Sequence, residues 1–457
     1  MKLLGVASNV LRSTGRLDAK FHLSEGSVVA ARMDRARGSL EFRVLGGEEG
    51  IGRAWCPTRF KRVYAATDEA AVPYLRPYDV FSYLPRAADY LSATRSPDLD
   101  DYRITKGTIL MTCSGRNLGP AVMTDAYLAR FALSHDMIRV EIENEALRLY
   151  VLAYLTTPTA QHLLRRDKGG SVIDHITDHH VSAQRIPILP DELRERVVVL
   201  MKQVVRLREA ARIGLTELQI QYEAGLPVMD RRRKRLCQGY TARSRDLTGR
   251  VDAAPYDPLV VQTRKALLKA GGQRVDEFAN VLKPGGRYKT LYVAAEHGLP
   301  LLSGAQLLQV RPINLSYMPE RALKDVDKYR LKAGWIAYQA DGRAEEALGE
   351  PAMITRDRDG WLASGHIGRV AAKDGIDPGR LFLALRTPHA QVQIKASASG
   401  SVVDSTFPPD MEQVILPPLP PADGGKVSAL WNKFAEAQTL EQQAISLIDD
   451  ALSKFAR

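Results

Sequence analysis

The chain has 457 residues, with 64 Lys and Arg against 53 Asp and Glu, a formal net charge of +11, and 45% hydrophobic residues. That length exceeds one ordinary domain, and that apolar content supports real cores and excludes a largely disordered chain. The positive balance admits a polyanionic partner such as nucleic acid without establishing one.

The three cysteines, Cys56, Cys113 and Cys237, include no Cys-x-x-Cys pair. Such a sparse, odd set fits a reducing cytoplasm better than a disulfide scaffold. At the N-terminus, Ser8, Asn9 and Arg12 interrupt the apolar stretch too soon for a signal peptide. No run approaches the roughly 18 apolar residues of a membrane span. The expectation is a soluble cytoplasmic protein with no membrane partner.

In chain order, a short strand is predicted over Thr108–Thr112, running into the turn Ser114-Gly115-Arg116-Asn117-Leu118-Gly119. A helical stretch from Leu147 to Leu164 follows, then a Gly169-Gly170 turn, the cluster Asp174-His175 with Asp178-His179-His180, and a proline-flanked apolar segment. A long helix begins near Leu193. Its apolar positions Leu193, Val197, Leu200, Val204, Leu207, Ala211, Leu215, Leu218 and Tyr222 are three or four apart, a heptad seam with one stutter. Gly225 and Pro227 end it. After a basic run, the plan repeats: a strand at Trp335–Tyr338, a helical stretch from Gly379 to Ile394, a Gly-Ser turn, a proline-flanked segment and a second long helix. That helix carries the seam Val427, Leu430, Phe434, Ala437, Leu440, Ala444, Leu447 and Ala451.

The repetition extends to residues. Gly15-Arg16-Leu17-Asp18-Ala19 returns as Gly249-Arg250-Val251-Asp252-Ala253, 234 residues on. Asp100-Asp101-Tyr102-Arg103-Ile104 returns as Asp327-Lys328-Tyr329-Arg330-Leu331, at an offset of 227. Thr157-Pro158-Thr159-Ala160-Gln161 and Gly170-Ser171-Val172-Ile173-Asp174 return at an offset of 230, as Thr387-Pro388-His389-Ala390-Gln391 and Gly400-Ser401-Val402-Val403-Asp404. The order is kept and the offset drifts by only a few residues, which a duplicated module explains and chance does not. The expected organisation is a globular module at 1–190, a long helix at 191–223, a basic linker at 224–249, a second module at 250–420 and a second helix at 421–457.

Both stripes are narrow for a globular core face, so the two helices are expected to pack on each other as a coiled coil. About 33 residues at 1.5 Å rise make a rod on the order of 50 Å. An antiparallel pair would hold two similar modules a fixed distance apart.

Catalytic motifs are missing. No G-x-x-x-x-G-K-[ST] loop, G-x-G-x-x-G fingerprint or Gly-x-Ser-x-Gly elbow is present. Phe407-Pro408-Pro409-Asp410 has the wrong order for an amino-methyltransferase motif. His175 and His179 would share a helical face, as zinc ligands can. The other copy has Ser405 and Pro409 at those places, which argues against a metal. No metal, catalytic residue or cofactor is assigned to the chain, although an enzyme using His175, Asp178 and His179 stays open as an alternative.

The densest charge run, Arg231-Arg232-Arg233-Lys234-Arg235, is either a solvated linker or a strap on phosphates, which would add affinity and salt dependence without sequence information. Base readout needs side chains on positioned loops. Arg116 and Asn117 suit guanine and adenine in bidentate pairing, with Arg343 in the counterpart turn. Arg165, Arg166 and Lys168 precede the Gly-Gly turn, and Lys395 precedes Gly400. Each is also readable as an ordinary surface charge.

This arrangement resembles the specificity subunit of type I restriction-modification systems, or the equivalent subunit of a related methylation-based defence system. The residues that carry the resemblance are Gly107-Thr108-Ile109-Leu110 leading into Ser114-Gly115, and the Gly-Ser-Val-x-Asp turns at 170–174 and 400–404. Ile186-Pro187-Ile188-Leu189-Pro190 and Glu296-His297-Gly298-Leu299-Pro300 belong with them. The first module departs from the last pattern, with Glu69-Ala70-Ala71-Val72-Pro73. The resemblance implies a mixed α/β fold, with two target-recognition domains joined by two long antiparallel coiled-coil helices. It implies a noncatalytic antiviral-defence protein that reads a bipartite, gapped site on double-stranded DNA. The implied partners are two adenine methyltransferase subunits that use S-adenosylmethionine and, in restricting systems, a motor-nuclease subunit. A coiled-coil scaffold for protein assembly, without sequence-specific DNA binding, is the alternative.

Overall fold

The computed structural model describes residues 6, 8–66, 69–115, 117–166, 168, 174–229, 239–244, 247, 250–282, 291–343, 346–400, 403–421 and 425–455. Two compact units emerge. Unit 1 comprises 1–81, 85–209 and 436–457, and unit 2 comprises 82–84 and 210–435. This division runs through both long helices, where the sequence suggested helices separate from the modules.

Unit 1 contains a four-stranded antiparallel sheet in the order Arg53–Trp55, Met137–Glu141, Ile109–Thr112, Ala121–Met123. A three-stranded sheet has Ala71–Leu75 at its centre, antiparallel to Asp89–Ser92 and parallel to Ala132–Leu133. Unit 2 has the same two sheets. Its four strands are Ala279–Leu282, Ile367–Ala372, Ile336–Gln339 and Pro351–Met353. Its three have Leu299–Leu302 at the centre, antiparallel to Ser316–Met318 and parallel to Leu362–Ala363. The strand Ile109–Thr112 is buried along its whole length, as its unbroken apolar run requires of a central strand covered on both faces.

The helical stretch after each large sheet is two helices rather than one: Glu145–Thr156 and Pro158–Arg166 in unit 1, Pro378–Arg386 and Pro388–Ser397 in unit 2. Thr157 and Thr387 are the cause. Each is extended before a proline, and each hydroxyl donates to the helix behind it and accepts from the helix ahead. Thr157 Oγ1 donates to Tyr154 O at 2.7 Å and accepts from Ala160 N at 3.1 Å. Thr387 Oγ1 does the same with Ala384 O at 2.7 Å and Ala390 N at 3.2 Å.

One turn further on, Gln161 Nε2 donates to Gly119 O at 2.8 Å and Leu155 O at 2.7 Å. Gln391 Nε2 donates to Gly349 O at 2.9 Å and Leu385 O at 3.0 Å. All three positions are related by 230. Gly119 and Gly349 both have left-handed backbones, with φ of 92° and 75°, which glycine adopts without steric penalty. At Gly298, the counterpart of Ala71, a Cβ would lie 2.9 Å from the Met318 backbone, so glycine is needed for the close approach there.

The long helices span Asp191–Ala224 and Lys426–Phe455. In unit 1, Val197, Val204 and Leu207 are buried in one core with sheet residues Ile109 and Val140 and with Ala437, Ala444 and Ile448 of the second helix. Leu193, Leu200, Leu440 and Leu447 pack half-buried on its edge. In unit 2, Leu215 and Phe434 are buried, with Leu218 and Leu430 half-buried beside them. The buried faces are wider than the heptad reading allowed, adding Met201, Trp431, Ile445, Ile448 and Leu452. They are core faces as well as helix contacts, because the parts of the two helices within each unit also cover that unit's sheet-and-helix core.

Unit 2 also buries the detached segment Ser82–Leu84. Tyr83 packs edge-on against Trp431 and Phe434, with ring centroids 4.8 and 4.9 Å apart. The fully buried Arg212 satisfies its charge on main-chain oxygens, donating to Tyr83 O at 3.1 Å and Ser82 O at 3.0 Å.

Candidate nucleic-acid interface

In unit 1, the strand Ile109–Thr112 ends in the turn that sequence singled out. Gly115 and Gly119 have φ of 91° and 92°, so glycine is needed at both ends of the turn. Thr112 Oγ1 donates to Asn117 O at 2.6 Å, and Gly119 N donates to Thr112 O at 3.1 Å, closing the loop on its own strand. The segment after residue 173 then clasps it from the side. Gly115 N donates to Asp174 O at 3.0 Å and Ile176 N to Cys113 O at 2.9 Å, while Ser114 Oγ and His175 Nδ1 lie 2.9 Å apart. Tyr78 reaches the same turn, its hydroxyl 3.4 Å from Ser114 O.

The candidate cations gather here, but with internal roles. Arg165 donates from Nε to Leu118 O at 3.0 Å and from Nη2 to Gln161 Oε1 at 3.1 Å, which makes it a brace under the turn. Arg166 lies over the Phe21 ring, 5.2 Å from its centroid. Lys168 pairs with Asp174 at 2.5 Å, and that ammonium holds the Asp174 carboxyl below its ordinary range. Asn117 is half-buried on the same turn. Arg116, Arg231, Arg232 and Arg233 lie outside the described residues.

Unit 2 builds the matching end from different side chains. Asp341–Gly342 pairs antiparallel with Asp404–Ser405, and Thr406 N donates to Ala340 O at 2.8 Å. His366 Nδ1 bonds the Asp341 carboxylate. Lys395 Nζ donates to Glu346 O at 3.0 Å, and the Arg343 side chain is exposed beyond the turn. The two ends thus share a backbone frame and differ in what they present: Ser114, His175 and Asn117 in one, Asp341, His366 and Arg343 in the other.

The paired-histidine face is corrected. The helix begins at Asp178, and His175 sits in an extended bridge with Ser114, so His175 and His179 do not share a helical face. His180 bonds Thr177 as part of the cap of that helix. Among the described residues, no group of three or more His, Cys, Asp or Glu is placed to hold a metal ion. None of their helices is long and apolar enough to cross a membrane.

Sequence reasoning missed two features. Arg139 and Arg369, related by 230 in an Arg-Val dipeptide, are both buried in the large sheets and donate to main-chain oxygens of Asp101 and Arg330. Desolvation pulls both guanidiniums below their usual range. Cys56 and Cys113, 57 residues apart in sequence, each directly follow a strand of the first large sheet. The hydrogen bond to Cys113 and burial both push the Cys56 thiol up.

No family model matches the chain, and no curated protein matches it. Solved structures do align along most of its length. The type I restriction-modification system S subunit from M. genitalium is 12% identical, covering 90% of this chain and 96% of that one, with a TM-score of 0.27. The HsdS subunit from Thermoanaerobacter tengcongensis is 13% identical, with coverages of 90% and 96% and a TM-score of 0.25. A chain from a study of assembly and conformational transition of the type I R-M system is 16% identical, with coverages of 90% and 97% and a TM-score of 0.27. The overlaps are long and the scores low, so the functional reading rests on the chain's own residues.

Proposed function

We propose that the chain is the noncatalytic DNA-specificity subunit of a type I restriction-modification or related methylation-based system. Each unit reads one half of a bipartite, gapped target on double-stranded DNA. The chain directs two adenine methyltransferase subunits to that target. S-adenosylmethionine belongs to those subunits, and a motor-nuclease subunit joins where the system restricts. One observation carries the reading: both units repeat the same pair of sheets and the same Thr-Gln hydrogen-bond set at a spacing of 230, yet end in turns of different side-chain chemistry. A common frame with divergent tips is what two readers of different half-sites require.

In this reading the long helices form an antiparallel coiled coil that sets the unspecified spacer, and the two halves descend from one duplicated module. Two contacts support the antiparallel sense. Arg208 meets Glu441, and Gly214 lies against Leu430, so numbering falls along one helix as it rises along the other.

Co-expression with a cognate methyltransferase followed by methylome sequencing tests the proposal. The expected result is a methylated gapped motif in which exchanging residues 250–420 changes one half only. A motif unchanged by that exchange sinks the two-reader idea. Failure to shift any duplex at low salt, with the methyltransferase present, favours the assembly scaffold instead.

A further inference from the structure

Unit 1 contains a cavity of about 360 Å³ between the helix Glu25–Ala36, the helix Pro158–Arg166 and the short helix Asp178–Ser182 that leads into the strand Arg185–Ile188. Its floor is apolar, built from Met33, Phe42, Tyr154 and Leu163. Basic side chains line it, the guanidiniums of Arg37, Arg166 and Arg185 and the imidazoles of His179 and His180. One carboxylate, Asp34, lines it and is already paired with Arg37 at 2.6 Å. We propose that this cavity binds a small organic anion with a planar apolar body and a single anionic head, either an aromatic carboxylate or a mononucleotide phosphate.

The chemistry of the walls selects that class. The volume is at the small end of the ~300–1,000 Å³ range of ligand pockets. Guanidiniums pair with carboxylate and phosphate through two parallel hydrogen bonds, and three arginines line this cavity, Arg185 as an exposed one. An inorganic anion would leave the apolar floor wet, and a neutral ring would leave the basic side chains unmatched.

The contrast with unit 2 separates this site from a DNA-backbone contact. At the repeat offset of 230, Arg166, His179, His180 and Arg185 correspond to Ala396, Pro409, Asp410 and Ile415. Asp410 is paired internally with Arg250 at 3.1 Å. Leu163 corresponds to Gln393, whose buried amide donates to His389 O and Ile415 O, both at 2.8 Å, and accepts from Ile415 N at 3.0 Å. Unit 2 therefore ties this place together with hydrogen bonds and carries none of the four basic side chains. A phosphate-backbone contact made by two like readers would keep its cations in both. The site is particular to unit 1, and it does not rest on the DNA-reading proposal.

Calorimetric titration of the full-length chain tests it with naphthalene-2-carboxylate, naphthalene-2-carboxamide, uridine monophosphate, uridine and inorganic phosphate. The expected result is one saturable site for an anion with an apolar body, at least tenfold tighter than for its neutral partner or for phosphate alone. Which anion saturates identifies the head group. Arg185→Ala and His179→Ala, both exposed positions, weaken binding at least fivefold. Ala183→Trp, which fills the mouth, abolishes it with the melting temperature kept. Saturation by neither anion, equal binding of the neutral partners, or binding unchanged by Ala183→Trp overturns the proposal. Displacement by a nonspecific duplex also overturns it, because the cavity would then belong to a DNA track.

Discussion

Arg208 and Glu441, 233 residues apart, form a bidentate ion pair with both N···O distances at 2.9 Å. Their side chains are 12% and 5% exposed, and Gln438 Oε1 stands 3.5 Å from the same guanidinium. A pair so well covered is far more sensitive to losing one partner than both, since the survivor keeps an unpaired charge away from water. Glu441→Ala is expected to destabilise unit 1 by about 3 kcal/mol, and Arg208→Met with Glu441→Leu to recover most of that loss. Urea unfolding of the single and double variants checks this. Equal loss in both would show that the pair adds net stability rather than matching two costs.

A heptad template could not show this pair, because it selects apolar positions three and four apart and passes over charged ones between them. The same limit hid Met201, Trp431 and Ile448. One seam was legible, but the width of each helix face depends on the sheet and helices it covers. Some of the repeated spacing was legible, since equal residues at equal spacing make equal hydrogen bonds, as Gln161 and Gln391 do. The hydrogen bonds of Arg165 and Lys168 were not legible, because a basic residue before a glycine turn reads the same whether or not Leu118 O and Asp174 stand within its reach.

Gln391 is buried and bridges two main-chain oxygens, so Gln391→Ala leaves Gly349 O and Leu385 O unpaired. The expected loss is roughly 1–3 kcal/mol, with a smaller loss for Gln161→Ala, whose site is half-buried. Gly349→Ala adds a left-handed non-glycine backbone and a Cβ 2.4 Å from Ile394 Cγ2, and it should be worse than either. Denaturant midpoints rank the three.

Glu69 is held by Arg95, with Nη2 to Oε2 at 2.6 Å, and by Thr94, Ser92 and the Ala66 amide. The guanidinium and these donors keep its carboxyl well below the usual glutamate range. A carboxylate whose folded pKa is depressed stabilises the fold above its unfolded pKa and loses that contribution as pH falls toward the folded value. Glu69→Gln is therefore expected to be less stable than the parent at pH 7, with the gap closing below about pH 4. Melting temperatures at pH 7, 5 and 3 measure it. A gap that widens on acidification contradicts the assignment.

Under the DNA reading, two groups of cations should separate. Neutralising Arg231, Arg232, Arg233, Lys234 and Arg235 should weaken binding to all duplexes alike. It should also flatten the salt dependence, by up to about 0.9 in log–log slope for each phosphate deprived of its cation. Arg343→Ala should relax one half of the motif and leave the other intact. Binding at several salt concentrations, with a methylome of each variant, checks both. A changed motif from the first set would mean that the strap reads bases.

Tyr83 lies in the first half of the sequence, yet its ring completes the cluster of Trp431 and Phe434, and the two carbonyls that satisfy Arg212 belong to Ser82 and Tyr83. Neither unit is a continuous stretch of gene. A single genetic crossover between the halves would import a new second half while keeping the old Tyr83 and Arg212, so recombinants should survive only where the incoming Trp431 and Phe434 accept Tyr83. Natural exchange of specificities in such a chain is then expected to occur by double crossovers inside the turn-bearing stretches, with this aromatic cluster inherited intact.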